Sequence, residues 1–155
     1  MKTAIIYYSK HHGNTKKLLD AIAAQGDVTL LDVTSNPETD LSAYDLIGFA
    51  SGIYYSKFHD AVLKFAEKNL PHGKDVFFIY TCGMKRPSDT DALQQITDSK
   101  DAQLLGIYDC PGWDTFGPLR FVGGIAKWRP NEADIAGVVK FFEGIRSLHN
   151  EKDFD

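Results

Sequence analysis

Five short apolar runs, each separated from the next by enough chain for a helix or a crossover, set the tightest limit on what this chain can become. Lys2–Tyr8, Val28–Val33, Leu46–Ala50, Val76–Tyr80 and Leu104–Tyr108 are rich in β-branched and aromatic residues and hold few charges. Such runs read as strands buried on both faces, because a strand with one wet face alternates apolar and polar residues. Helical spacing fills the gaps. Leu18, Leu19 and Ile22 share a face, and Gly26 can end that helix at positive φ. Phe58, Val62, Phe65 and Ala66 form a second face that Leu70–Pro71 stops. Pro87–Ser88 opens a third helix, with Ser88 and Asp91 at capping-box spacing and Leu93 and Ile96 as its buried side. Asn131 caps a last helix whose Ile135, Val138, Phe142 and Ile145 face inward. Strands alternating with helices predict a three-layer α/β protein, a parallel sheet covered on both faces and joined by right-handed crossovers.

Two connections break this rhythm. Thr34–Ala43 contains Pro37 and has room for about one helical turn, so a short or irregular crossover is expected there. Cys110–Pro130 is long for a loop, and Leu119–Ala126 within it either adds a strand or resumes the fifth one. Its Trp113, Phe116, Phe121 and Trp128 either pack over the sheet edge or cover a ligand. The charged tail Asn150–Asp155 is expected to fray.

The length of 155 residues suits one domain spanning residues 1–155. A net charge of −4 is too weak to imply a nucleic-acid or membrane-surface partner. No run approaches the ~18 apolar residues of a membrane span. The opening segment lacks the apolar length and cleavage site of a signal peptide, so a cytoplasmic location is expected. Cys82 and Cys110 form neither a CxxC nor a zinc-type pair, and no metal site is expected. The two read as small buried side chains in a reducing compartment rather than as a redox relay.

Chemistry concentrates where the first, third and fourth strands end. After Tyr8 comes Ser9-Lys10-His11-His12-Gly13-Asn14-Thr15, running into a helix. Backbone N–H groups at a helix start, with the helix dipole, favour an anion. Gly13 permits a tight turn, and the flanking side chains add donors and positive charge. The spacing is neither GxxxxGK[ST] nor GxGxxG, and taken alone the segment also reads as an ordinary turn in which Thr15 caps a helix. The other two strand ends add weight. Ser51-Gly52-Ile53-Tyr54-Tyr55 and Thr81-Cys82-Gly83-Met84 each bring glycine, small polar groups and soft or aromatic side chains. Open α/β sheets bind ligands beyond the carboxyl ends of their strands, where the winding reverses.

Ile5-Ile6-Tyr7-Tyr8 followed by His12-Gly13-Asn14-Thr15, and Asp45-Leu46-Ile47-Gly48-Phe49-Ala50-Ser51-Gly52-Ile53-Tyr54, resemble the flavodoxin family over nearly the whole chain. The resemblance implies a five-stranded parallel sheet of order 2-1-3-4-5 and non-covalently bound FMN. Ser9–Thr15 would hold the phosphate, Ser51–Tyr55 and Thr81–Met84 would flank the isoalloxazine ring, and Trp113 would either cover the ring's outer end or pack under the long loop. It implies no catalytic side chain, since the cofactor carries the chemistry. Lysine and two histidines stand where the family often has hydroxyl residues. The implied function is electron transfer between redox partners. Ser51-Gly52-Ile53-Tyr54-Tyr55-Ser56-Lys57-Phe58-His59 also looks like the flavodoxin-like protoporphyrinogen oxidases. That supplies the alternative of an FMN-dependent oxidoreductase acting on a quinone or another small aromatic. A receiver domain would need acidic residues that Ser9-Lys10 and the end of the third strand do not supply. The charges near these loops are mixed, Lys10, Lys16, Lys17, Lys57, Lys85, Arg86 and Arg120 against Asp60, Asp89, Asp91, Asp109 and Asp114. His59 reads as an exposed residue in the first turn of a helix.

Overall fold

The computed structural model describes residues 1–10, 13–112 and 128–152. In chain order it contains β1 (Thr3–Tyr8), α1 (Asn14–Ala23), β2 (Val28–Asp32), β3 (Leu46–Tyr54), β4 (Lys57–Phe58), α2 (Asp60–Asn69), β5 (Asp75–Cys82), one turn of 3-10 helix (Pro87–Thr90), α3 (Asp91–Ser99), β6 (Gln103–Pro111) and α4 (Glu132–Lys152). Five strands are parallel, in the order β2-β1-β3-β5-β6, and β4 adds a two-residue antiparallel pairing to the end of β3. Counted without β4, the order is the predicted 2-1-3-4-5. The sixth strand is a correction to the predicted five.

Alternation along each strand sorts side chains between two cores. Ala4 and Ile6, Ile47 and Phe49, and Val76, Phe78 and Tyr80 point to the side covered by α2 and α3. Ile5 and Tyr7, Leu46 and Ala50, and Phe77 and Ile79 point to the side covered by α1 and α4. Leu18, Leu19 and Ile22 of α1 and Val138, Phe142 and Ile145 of α4 complete the second core, as their spacing predicted. At Gly48 a Cβ would lie 2.4 Å from the Phe77 ring, so the glycine makes the space that this phenylalanine fills.

Several details differ from the sequence reading. Phe58 is fully buried, but in β4, and α2 starts two residues later. The Ser88–Asp91 box does not form. Asp89 instead braces the 3-10 turn by accepting from Arg86 N–H at 2.9 Å. β3 and β6 run past their predicted ends. Asn150, Glu151 and Lys152 are helical rather than frayed, because Lys152 Nζ reaches the buried Asp75 at 2.5 Å and His149 Nδ1 lies 2.7 Å from the same carboxylate. The Thr34–Ala43 crossover is irregular, as expected. It is pinned by the buried Leu41 and by Lys74 Nζ, which donates to the Ser42 and Tyr44 carbonyls. The expectations for Leu119–Ala126, Phe116, Phe121 and Asp153–Asp155 lie outside the described residues.

Candidate functional site

The sheet order places the carboxyl ends of β1, β3 and β5 side by side, and the three candidate loops meet there. Gly13 sits at φ 65° and ψ 23°, the left-handed region that favours glycine. A Cβ there would meet nothing within 4 Å, so the requirement is dihedral and the space beside it is open. No side chain caps α1 at Gly13. Ser9 Oγ accepts from Lys16 N–H at 3.0 Å and folds the loop back onto the first turn. Asn14 and Thr15 are buried, and Thr15 acts as a tie. Thr15 Oγ1 and Thr81 Oγ1 are 3.0 Å apart, joining the start of α1 to the end of β5. Gly112 leaves room for the Asn14 amide, since a Cβ there would lie 2.7 Å from Nδ2.

At the end of β3, buried Ser51 donates to the Gly52 carbonyl at 2.5 Å and accepts from His59 N–H at 3.1 Å. Ile53 and Tyr54 pair with Phe58 and Lys57 across a two-residue turn. Its Tyr55 and Ser56 have φ of 51° and 62°, positive at both positions as a type I′ turn requires. Neither is glycine, and each such residue costs about 1–3 kcal/mol that the surroundings must hold in place. Arg86 Nη1 donates to Ser56 Oγ at 3.0 Å from the neighbouring loop. Tyr55 itself is 83% exposed. Beyond β5, Thr81 and Cys82 are buried, Gly83 is half-buried and Met84 is 67% exposed. Gly112 N–H donates to the Cys82 carbonyl at 3.0 Å, tying this loop to β6.

Sequence reasoning missed an aromatic cluster at this rim. His59 is half-buried and caps α2, its Nδ1 accepting from Ala61 N–H at 3.1 Å. Its ring stacks on Tyr8, with centroids 3.6 Å apart and planes 9° from parallel. Tyr54 meets both rings edge-on, at 5.7 Å from Tyr8 and 5.0 Å from His59. Lys10 Nζ stands 5.7 Å from the Tyr8 centroid. Placing Phe58 on the helix put His59 inside the first turn instead of at the N-cap. The signal that could have found it is His59-Asp60-Ala61, a side-chain acceptor and an acid at a helix start.

Three of the rim lysines are held in ion pairs. Lys57 Nζ is 2.9 Å from Asp60, Lys85 Nζ is 2.9 Å from Asp109, and Lys16 meets Asp20. Asp89 is 1% exposed, which removes it from the predicted rim. Burial, then Asp109, Cys82 and Asp89, pushes the Tyr80 phenol well above its usual range. Burial likewise pushes the Cys110 thiol up to about 12. Burial holds His59 below the ordinary histidine range, with Lys10 acting in the same direction and Asp60 against it. His11, His12, Trp113, Asp114 and Arg120 lie outside the described residues. A separate concavity of about 240 Å3, bordered by Met1, Thr3, Asp27 and Arg146, lies at the opposite rim and holds none of the predicted residues. Among the described residues, no three of His, Cys, Asp and Glu are grouped to hold a metal ion, and no helix is long and apolar enough to cross a membrane.

A parallel sheet with three braced loops at its carboxyl rim, one of them a glycine-opened helix start, defines a doubly wound α/β protein whose candidate site lies at the switch point. Residues 5–107 match the family described as "Flavodoxin domain". The chain is 34% identical over 147 residues to the uncharacterized protein MJ0298 of Methanocaldococcus jannaschii, covering 94% of this chain and 98% of that one. It superposes on oxidised Flavodoxin 1 from Bacillus cereus with a TM-score of 0.71, at 17% identity over 95% of this chain and 98% of that one. A flavoprotein in complex with FMN from Lactobacillus acidophilus NCFM gives a TM-score of 0.54, at 17% identity over 70% of this chain and 92% of that one. The chain belongs to the flavodoxin-domain family.

Proposed function

We propose that residues 1–155 act as one flavodoxin-like domain that binds FMN without a covalent bond and transfers electrons between redox partners. The observation that carries this reading is the Thr15–Thr81 bond, which couples a glycine-opened helix start to the loop after β5, one of the two able to flank a flat ring. The donor chemistry fits the cofactor. A phosphate would meet the backbone of Ser9–Thr15, with Lys10, His11 and His12 adding positive charge. Ser51–Tyr55 would lie on one side of the isoalloxazine ring and Thr81–Met84 on the other, with backbone groups beside Gly52 and Gly83 facing its polar edge and Trp113 covering its outer end. FMN bound there supplies the chemistry, the uptake and release of electrons. The side chains bind, orient and exclude water, and none is needed as an acid or base. The family relationship and the FMN complex of the Lactobacillus flavoprotein support the cofactor assignment. Two cysteines that form no disulfide accord with work in the cytoplasm.

A second reading, an oxidoreductase acting on a quinone or another small aromatic, is favoured by the mixed rim, with Lys57–Asp60 and Lys85–Asp109 paired, and by Tyr55, Met84 and Trp128, which stand exposed. Purified chain should be yellow, and titration into FMN should quench the flavin's fluorescence with a dissociation constant of about 1 μM or tighter. Colourless protein that leaves the fluorescence unchanged refutes the proposal. Steady quinone turnover without a partner protein would select the second reading.

A further inference from the structure

We propose that His59 positions the aromatic wall formed by Tyr8 and Tyr54, and that it does so only as the neutral imidazole carrying its proton on Nε2. The inference rests on the FMN reading for its consequence but not for its geometry.

Two hydrogen bonds and a ring stack converge on this residue. Its backbone N–H donates to Ser51 Oγ at the end of β3, its Nδ1 accepts from Ala61 N–H at the start of α2, and its ring lies flat on Tyr8 at the end of β1. Tyr54, whose edge contacts both rings, belongs to the loop proposed to flank the flavin. One residue, through its backbone N–H and its ring, therefore fixes the mutual placement of β1, β3 and α2 at the rim. Accepting from Ala61 leaves Nδ1 without a proton, so the neutral ring carries its hydrogen on Nε2.

A second proton would have to sit on Nδ1. It would face the Ala61 N–H, donor against donor, and place positive charge at the positive end of α2. The groups around the ring are Tyr8, Lys10 and Tyr54 from β1, the loop after it and β3, with Lys57 of β4 held by Asp60 on α2. Lys10 opposes the added charge and Asp60 favours it. Burial, the largest effect, acts with Lys10 against Asp60 and holds the ring neutral to lower pH than an exposed histidine. Below that point the cap is lost and the stack loses the partner that orients it. The linkage runs one way: a group that folding makes harder to protonate destabilises the arrangement as pH falls.

The test uses the whole chain and His59→Asn. Asparagine caps helices well and does not titrate, so α2 keeps its cap while the stacked ring is lost. FMN affinity is read by fluorescence quenching from about pH 7.5 down to about pH 4, a window carried below the ordinary histidine range because burial lowers this ring. At the upper end His59→Asn should bind about 2- to 10-fold more weakly, the worth of an aromatic contact. Towards the lower end the wild-type affinity should fall and the gap between the proteins should close. Parallel profiles would overturn the proposal. The Ala61 amide resonance, followed by NMR without flavin, should titrate in the wild type and stay flat in His59→Asn. If neither protein binds FMN, the cofactor reading fails by itself. The amide then decides alone: a titrating signal sustains the His59 switch and a flat one refutes it.

Discussion

Single positions carry sharply different loads in this chain. Gly48 is a packing glycine, fixed by the Phe77 ring rather than by its backbone dihedrals. Gly48→Ala should destabilise the protein by about 1–3 kcal/mol, since a methyl group must displace a fully buried ring. Urea unfolding should show the midpoint fall with little change in slope. Gly13 is the opposite case, with open space beside it and a backbone that only glycine adopts freely. Cys110 shows what burial does to chemistry. With its thiol pushed up to about 12, almost no thiolate exists near neutral pH, and it should resist iodoacetamide in the folded protein yet react readily in urea. Fast labelling of native Cys110, read by peptide mass spectrometry, would contradict the buried placement.

Among the elements, α4 is held at both ends by devices of different kinds. At its start Asn131 and Asp134 cap each other reciprocally, at 2.8 and 3.0 Å, while Arg129 grips the Asp134 carboxylate with two nitrogens at 2.5 and 2.6 Å. The Arg129 hydrogen bond, with help from Asn131, holds the Asp134 carboxyl below its usual range. A carboxyl depressed in the folded state stabilises above its unfolded pKa, and that stability is lost as pH falls through the folded value. Asp134→Ala should therefore cost about 1–3 kcal/mol near neutrality, and the gap from wild type should shrink in acid. Unfolding curves at several pH values measure this directly. The cap at Asn131 was legible in the sequence, as were all four helices and five strands, because period and capping chemistry are local. The strand β4, the 3-10 turn and the helical end of α4 were not. Two residues cannot display a period, and Lys152 is helical through a partner far away in sequence, Asp75.

For the molecule as a whole, the prediction is thermodynamic. If FMN binds only the folded chain, flavin at about 100 times its dissociation constant should add about 2.7 kcal/mol and raise the thermal midpoint by several degrees. Riboflavin, which lacks the phosphate, should raise it less. The location of the candidate site was readable from three strand ends, since sheet topology decides where such loops meet. The aromatic cluster was not readable. Tyr8, Tyr54 and His59 come from three elements, and only their placement in space reveals a stack. The bond between Thr15 and Thr81 spans 66 positions, and Gly112 must arrive later still to seat Asn14. During synthesis, a chain still too short to have released β5 from the ribosome carries every residue of its first turn, Ser9 to Thr15, without the struts that shape it. Such a chain would be indifferent to flavin, and the cofactor could be captured only near the end of translation, once the far strands had docked.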